Sequence, residues 1–249
     1  MNNLISIITP NFNSEKFITQ TIKSVINQSY ENWEMIIVDD LSTDSSINII
    51  NSFCKSDTRI KLHRLKCNSG AAVARNKAIS LANGNFIAFL DSDDLWLPKK
   101  LEFQLNFMLS NNFALSYTSY EIINEEGDKT GKIINCKIKL DYKRMLYSNE
   151  IGCLTAMYNQ DVLGKVYMPN IRKRQDYGLW LKILKVEKHA FGISEVLAQY
   201  RDRSQSISNN KVEMLKWNWN LYKNVEKLSY LKSSYYTICN VFNKLLKLI

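Results

Sequence analysis

Short apolar runs alternate with longer amphipathic segments through the first ninety residues, and this alternation constrains the fold more than any other feature of the sequence. Apolar runs at 4–9, 33–38, 60–65 and 86–90 predict four strands, and helices are predicted between them. Strands and helices alternating at this spacing are typical of βαβ units, in which parallel strands form a sheet with helices on both faces. The sequence therefore predicts an α/β protein with a Rossmann-like, doubly wound and mostly parallel sheet.

The second half of the chain shows the same alternation less clearly. Further strands are predicted at 114–123, 154–158 and 196–201. An amphipathic helix is predicted to begin at Arg174, and one or two helices with a break near Ser233 are predicted in 211–249. We therefore divide the chain into a domain over 1–210, with halves 1–110 and 111–210, and a helical C-terminal extension.

The chain carries a net charge of +9, which implies an anionic partner such as nucleic acid, a phosphorylated small molecule or a membrane surface. More than half of this charge lies in 211–249, where seven lysines outnumber two glutamates and seven aromatic residues are interleaved. A basic helix with aromatic residues suits an interfacial membrane contact, but it suits packing against the domain almost equally well. The sequence leaves these two alternatives open.

The five cysteines are scattered, odd in number and without a CxxC pair, which argues against a disulfide framework or a zinc site. This pattern favours the reducing cytoplasm. Each apolar run is shorter than the roughly 18 residues that a membrane span needs. We therefore expect a cytoplasmic protein, at the inner face of the cytoplasmic membrane if 211–249 contacts lipid.

Acidic residues follow two of the predicted strands, as Asp39-Asp40 and as Asp91-Ser92-Asp93-Asp94. Ligands of open α/β sheets bind outside the carboxyl ends of the strands, so both clusters are expected at the ligand-binding edge. Carboxylates this close repel one another, and a hard divalent cation would relieve the repulsion. The sequence thus suggests a metal site after the fourth strand, with an acidic surface turn as the alternative.

Several motifs occur in an order that is more specific than any one of them. They are Thr9-Pro10-Asn11-Phe12-Asn13, Val38-Asp39-Asp40, Ala74-Arg75-Asn76, Asp91-Ser92-Asp93-Asp94 and Arg174-Gln175-Asp176 followed by Leu179-Trp180. In this order the chain resembles the family 2 glycosyltransferases of the GT-A fold, of the bacterial polysaccharide type. The resemblance is strong over about the first 110 residues and returns over 170–206. It implies inverting transfer of a sugar from a nucleotide-diphosphate sugar, with Mn²⁺ or Mg²⁺ as cofactor.

The resemblance also implies roles for individual residues on the donor side. Asp93 is expected to bind the metal directly, and Asp91 to hold the metal shell or the ribose of the donor. Asp40 is expected to contact the nucleotide base. The other expected donor contacts are Pro10, Asn11, Ser92, Arg75, Arg201 and Arg203. Arg75 has two alternative partners, which are the diphosphate and Asp91, and a solvated position without either partner is also open.

On the acceptor side, Asp176 is the expected general base, because inversion needs a carboxylate to take the proton of the attacking hydroxyl. Family members commonly carry Glu-Asp where this chain has Gln175-Asp176. Gln175 and Trp180 are assigned to the acceptor site, although for Trp180 a core position is the preferred interpretation and stacking on the acceptor is the alternative. The first 110 residues would then form the nucleotide-sugar-binding half and residues 111–210 the acceptor half.

The resemblance points to a UDP-hexose or a UDP-N-acetylhexosamine as donor and to a saccharide acceptor linked to polyprenyl diphosphate. O-antigen or capsule synthesis is the expected setting. A nucleotidyltransferase that forms sugar nucleotides is the first alternative, but the loop Pro10–Ser14 lacks the expected glycines. A nucleic-acid-binding protein would explain the charge, although not two acidic clusters that repel phosphate. A non-catalytic nucleotide-binding relative is the remaining alternative.

Overall fold

The computed structural model describes residues 3–203 and 211–246. Its first half has the predicted alternation: β1 (Ile5–Asn11), α1 (Ile18–Ile26), β2 (Trp33–Asp39), α2 (Ser46–Ser56), β3 (Ile60–Arg64), α3 (Ala71–Leu81) and β4 (Phe86–Phe89). Residues that suit a loop separate these elements, such as Asn83-Gly84 between α3 and β4. The strand and helix pattern of the sequence is therefore confirmed over this half.

The second half adds shorter elements. They are β5 (Leu95–Trp96), α4 (Lys100–Asn111), β6 (Leu115–Ile123), β7 (Lys129–Ile134), β8 (Lys139–Leu140), α5 (Tyr142–Tyr147), a 3₁₀ turn (Cys153–Thr155), β9 (Met157–Asn159), α6 (Gln160–Leu163), α7 (Gln175–Val186) and β10 (Ala190–Arg201). The strand predicted at 154–158 is shorter than expected, because its first residues form the 3₁₀ turn. The strand predicted at 196–201 is longer.

The C-terminal extension contains α8 (Lys211–Asn220), a π-helical turn (Leu221–Val225) and α9 (Tyr230–Leu246). The helix break lies at 226–229, so the prediction of a break near Ser233 is wrong. Ser233 is buried inside α9, where its N–H donates to the carbonyl of Ser229 at 2.9 Å. A serine accommodated by a regular helical hydrogen bond gives no reason for a break.

The strands form one mixed sheet in the order β3-β2-β1-β4-β9-β6-β10-β5, with β7 beside β6 and β8 beside β10. β1 is parallel to β2 and to β4, and β2 is parallel to β3. β9 runs antiparallel between β4 and β6, whereas β6 and β10 are parallel to each other. The parallel pairing brings the carboxyl ends of β1, β2 and β4 to one edge of the sheet.

Alternate residues of the central strands enter two apolar layers, one on each face of the sheet. Ile5 and Ile7 belong to the layer that contains residues of α1, α2 and α4. Ile8 and Val38 belong to the layer that contains residues of α3 and α7. Both layers are made of fully buried side chains. Helices therefore cover both faces, as a doubly wound sheet requires.

The C-terminal extension packs against α5 and α7. Tyr222 donates to the carbonyl of Leu146 at 2.8 Å, and its hydroxyl lies 2.9 Å from that of Tyr177. Glu226 forms an ion pair with Lys185 at 2.8 Å. One face of the extension is thus part of the core. Within residues 3–203 and 211–246, no helix has both the length and the apolar character needed to cross a membrane.

Candidate active site

The edge at which β1, β2 and β4 end carries a network centred on Asp39. Its buried carboxylate accepts hydrogen bonds from Asn11 Nδ2 at 2.7 Å and from the backbone N–H of Ser42 at 3.0 Å. The Asn11 side chain also accepts a hydrogen bond from the Ser14 hydroxyl. Asp39 and Asn11 therefore fix the loops that follow β2 and β1. The contact of Asn11 and of the half-buried Pro10 with a donor stays a prediction.

Asp40 joins the end of β2 to the start of α3. One carboxylate oxygen accepts the backbone N–H of Ser69 at 2.7 Å, and the other accepts that of Gly70 at 2.7 Å. Gly70 has φ +90°, a left-handed conformation that favours glycine. A carboxylate has about four acceptor sites, so Asp40 keeps capacity for a nucleotide base beside these two bonds. Its contact with the base stays a prediction.

Arg75 projects from the small-residue helix α3 and tethers Asp91. The buried guanidinium donates from Nη2 to Asp91 Oδ1 at 2.5 Å. Arg75 Nε is buried and has no hydrogen-bond partner within the described residues. Burial opposes the charge of Arg75, but the charge and hydrogen bond of Asp91, with smaller contributions from Cys153 and Asp176, together raise the pKa of Arg75. Of the two alternatives for Arg75, tethering is the observed contact.

Two arginines, one at the end of β10 and one just after it, contact Asp93. Arg203 Nε lies 3.0 Å from Asp93 Oδ2, and Arg201 Nε donates to the backbone carbonyl of Asp93 at 2.8 Å. Burial and the charge of Asp91 raise the pKa of Asp93, while Arg203 opposes this shift. The two carboxylates therefore repel each other, and each has one oxygen held by an arginine. Ser92 lies between them and is half-buried.

Asp94 forms hydrogen bonds that fix the same loop. Its side chain is buried and accepts the backbone N–H of Arg201 at 2.9 Å, while its carbonyl accepts the Thr21 hydroxyl at 2.9 Å. Burial, followed by the charges of Asp93 and Asp91, raises the pKa of Asp94 well above its usual range. Asp94 thus connects β4 to β10 and to α1.

The two arginines after Tyr200 have different surroundings. Arg201 is buried, and its guanidinium donates to the carbonyl of Glu125 at 2.7 Å and to Gln20 Oε1 at 2.6 Å. Arg203 keeps 32% of its side chain exposed beside Asp93. Arg203 is therefore the better placed of the two for a phosphate, while Arg201 already binds protein acceptors. Both donor assignments stay predictions.

The residues at this edge fit a divalent cation that takes its other ligands from a substrate. In residues 3–203 and 211–246, no group of three or more His, Cys, Asp or Glu side chains is close enough to hold a metal ion. Asp91 and Asp93 provide hard carboxylate oxygens, and their mutual repulsion favours a cation between them. Mg²⁺ and related ions are commonly bound by one or two carboxylates together with substrate phosphates.

Asp176 lies in the first turn of α7 and faces the same site. Its Oδ2 accepts a hydrogen bond from Asn149 Nδ2 at 3.2 Å. The negative charges of Asp91 and Asp176 both help to raise the pKa of Arg75, and Asp91 has the larger effect. Asp176 is half-buried, and its role as the general base stays a prediction.

The assignment of Trp180 to the acceptor site is wrong. Trp180 is fully buried in the core, where it packs edge-on against Phe89 with ring centroids 5.5 Å apart. A side chain without exposed surface cannot stack on a sugar. Gln175 is also buried, at the start of α7, and its contact with an acceptor stays a prediction.

Two residues near Asp176 carried no signal in the sequence. Asn149 contacts Asp176 across a separation of 27 residues, in a segment without clear periodicity. Cys153 follows in the 3₁₀ turn, where burial raises the pKa of its thiol well above the usual range, with Arg75 opposing and Asp91 and Asp176 adding to the shift. This shift disfavours the thiolate of Cys153, which is the form in which a cysteine acts as a nucleophile.

Comparison with known sequences points to one family. The family model described as "Glycosyl transferase family 2" matches residues 6–166. The "Putative teichuronic acid biosynthesis glycosyltransferase TuaG" of Bacillus subtilis (strain 168) is 45% identical over 232 residues, which are 93% of this chain and 92% of that protein. The "UDP-Glc:alpha-D-GlcNAc-diphosphoundecaprenol beta-1,3-glucosyltransferase WfgD" of Escherichia coli is 42% identical over 219 residues, 88% of this chain and 85% of that protein.

Two solved structures have a similar fold at low sequence identity. S. aureus TarS 1-349 in complex with UDP-GlcNAc has a TM-score of 0.70 and 21% identity, with 94% of this chain and 70% of that chain covered. The mannosyltransferase PcManGT from Pyrobaculum calidifontis, in complex with GDP-Man and Mn²⁺, has a TM-score of 0.64 and 15% identity, covering 87% and 61%. The fold is GT-A, as the sequence predicted.

Proposed function

This chain belongs to glycosyl transferase family 2, and we propose that it transfers a hexose or an N-acetylhexosamine from a UDP-sugar, with inversion, to a saccharide linked to polyprenyl diphosphate. The names of two relatives, which refer to teichuronic acid and to a diphosphoundecaprenol-linked acceptor, support a role in bacterial surface polysaccharide synthesis. The observation that supports the proposal is the ion pair between Arg75 and Asp91, two residues before Asp93, together with the negative charge that Asp176 adds near the same arginine. The reaction would take place at the inner face of the cytoplasmic membrane.

Asp176 acts as the general base in this proposal. It takes the proton of the acceptor hydroxyl while that oxygen bonds to the anomeric carbon and the bond to the nucleoside diphosphate breaks on the opposite side. Asn149 holds Oδ2 of Asp176, so Oδ1 is the oxygen that receives the proton. One displacement on the face opposite the leaving group inverts the anomeric configuration.

Asp91 and Asp93 would hold Mn²⁺ or Mg²⁺, which neutralises the charge of the departing diphosphate when bound. Arg75 keeps Asp91 in position, and Arg203 does the same for Asp93. Arg203 is also exposed enough to contact a phosphate oxygen. Asp40 would accept a hydrogen bond from the uracil ring, and Pro10, Asn11 and Ser92 would border the donor.

A donor and acceptor screen tests the proposal. The protein is incubated with UDP-, GDP- and dTDP-sugars and a polyprenyl-diphosphate-linked saccharide, with Mn²⁺ or with EDTA, and the product linkage is determined by NMR. We expect transfer from a UDP-sugar only with the metal, and an anomeric configuration opposite to that of the donor. Retained configuration, or full activity in EDTA, would contradict the proposed mechanism.

The variant Asp176→Asn separates binding from transfer. We expect it to bind UDP with Mn²⁺ as the wild type does and to lose at least about 100-fold in turnover, because general-base catalysis contributes about 10²–10⁴-fold. Glu150→Gln is a matched control, since it changes a carboxylate in the neighbouring loop. Unchanged turnover in Asp176→Asn would remove Asp176 from the role of base.

A further inference from the structure

Helix α9 is oriented with its polar side inward and its apolar side outward. Ser233, Thr237 and Asn240 are buried, and Asn240 contacts Asn218 of α8 and Tyr222 of the π-helical turn. Four large side chains, which we call the outer stripe, are exposed: Leu231 by 85%, Tyr235 by 53%, Ile238 by 67% and Phe242 by 61%. Their spacing of four, three and four residues puts all of them on one helix face. A soluble helix normally has the opposite orientation, so the outer stripe calls for a partner.

The surroundings of the outer stripe are basic. Lys227 and Lys232 are exposed at the start of α9. The two glutamates of the extension are directed at the domain instead, with Glu213 2.6 Å from Lys173 and Glu226 2.8 Å from Lys185. The charge around the stripe is therefore positive, in a chain whose net charge is already +9. An apolar stripe bordered by lysines matches an anionic lipid surface.

The inner side of α9 contacts the segment that leads to the proposed base. Asn243 Nδ2 donates to the carbonyl of Tyr147 at 3.2 Å, and the rings of Tyr147 and Tyr236 are 5.2 Å apart. Two residues after Tyr147, Asn149 donates to Asp176. The outer stripe is thus on the acceptor side of the molecule.

We propose that α9 lies in the interface of an anionic membrane, with Leu231, Ile238 and Phe242 among the acyl chains and Lys227 and Lys232 at the lipid headgroups. Tyr235 lies at the edge of this contact, because its ring also packs against that of Tyr147, with centroids 6.1 Å apart. The membrane contact itself does not depend on the proposed function. Only its consequence does, namely that the lipid-linked acceptor reaches Asp176 from the side of α9. A second copy of the chain is the less suitable partner, because an isologous contact would bring the same lysines together.

Vesicle flotation of the full chain tests the proposal. We expect flotation with vesicles of phosphatidylglycerol and phosphatidylethanolamine, and much less with phosphatidylcholine. Ile238→Glu combined with Phe242→Glu should lower partitioning at least about tenfold, because two apolar anchors are replaced by charges that anionic lipid repels. Lys227→Gln combined with Lys232→Gln should lower it about fivefold per lysine.

Ile138→Glu is the matched control, since Ile138 is exposed by 81% but lies before β8, outside the stripe. We expect this control to float as the wild type does and all variants to keep the wild-type Tm, because the altered side chains are exposed. Equal flotation of the stripe variant and the control would overturn the proposal. The proposal would also be overturned if light scattering shows that the wild type is a dimer and the stripe variant a monomer, while the wild type binds no vesicles.

Turnover with two acceptors separates this proposal from the proposed function. The stripe variant should keep wild-type kcat/KM with a short-chain, water-soluble acceptor and lose at least about tenfold with the same saccharide on a polyprenyl chain in vesicles. If transfer fails with both acceptors even in the wild type, the proposed function is wrong while flotation still decides the membrane contact. If the stripe variant has the same change in kcat/KM with both acceptors, the membrane proposal is wrong.

Discussion

Replacing Arg75 with alanine tests whether this arginine serves the site by holding Asp91. Removing one partner of a buried ion pair costs about 3–5 kcal/mol, because a charge is left uncompensated. The Asp91 side chain is 30% exposed, so water offsets part of the loss and we expect a decrease of about 2–3 kcal/mol in the free energy of unfolding. For a chain of this size that decrease lowers Tm by about 4–12 °C.

A double-mutant cycle with Asp91→Ala identifies the route by which Arg75 acts. Unfolding and Mn²⁺-dependent UDP binding are measured for the wild type, both single variants and the double variant. If Arg75 acts through Asp91, its removal should weaken UDP binding in the wild-type background and have little effect once Asp91 is gone. The coupling energy for unfolding should then be at least about 1 kcal/mol.

Arg64→Ala is the control, because Arg64 also faces an edge carboxylate but is 52% exposed and 3.5 Å from Asp39. Exposed pairs contribute about 0–1 kcal/mol, so a small change is expected. Additive effects of Arg75→Ala and Asp91→Ala on UDP binding would refute the tether and favour a direct phosphate contact by Arg75.

Three further outcomes are expected. Asn149→Ala should lower kcat about tenfold without changing the Kd of the donor, because the Asp176 carboxylate loses the hydrogen bond that keeps it from rotating away from the acceptor. Rapid-quench kinetics measure the rate, and calorimetry measures the Kd. Lys100→Met should stabilise the protein by about 1–3 kcal/mol at neutral pH, because Lys100 is fully buried with no hydrogen-bond partner for Nζ among the described residues. Burial holds the pKa of Lys100 well below its usual range, so between this lowered pKa and about 10.4 the unfolded chain binds a proton on Lys100 that the folded chain does not. The free energy of unfolding of the wild type should therefore rise with pH over this window. Urea titrations at several pH values should show the rise in the wild type and not in Lys100→Met. Trp180→Phe should destabilise the core yet leave the KM of the acceptor unchanged, whereas an increased KM in steady-state kinetics would restore Trp180 to the acceptor site.

Local pattern was enough to predict the architecture of the first half. The apolar runs of β1, β2 and β4 fix which segments are strands, and the short helical segments between them permit only parallel pairing in one sheet. Because parallel strands end at a common edge, Asp40 and Asp91 had to lie there. The family and the fold also followed, because the order of the motifs is specific.

The roles within that edge depended on contacts between distant residues. Asp40 binds the loop before α3, 29 residues away, and Arg201 reaches Gln20 across 181 residues. Both side chains were assigned to the donor, and nothing in their sequence neighbourhood shows that they already bind protein groups. The core position of Trp180 was the preferred interpretation of the sequence, and its packing against Phe89 of β4 confirms it.

The amino-acid sequence by itself determined the sheet, the acidic edge and the basic, aromatic character of 211–249, because periodicity, strand ends and charge are local properties of the chain. The tertiary structure alone decided which carboxylates are tethered and which face of α9 is exposed. It also decided that Asn149 binds the Oδ2 atom of Asp176. The physical reason is that hydrogen bonding and burial are pairwise properties, and the partner of each side chain becomes known only when distant segments pack together.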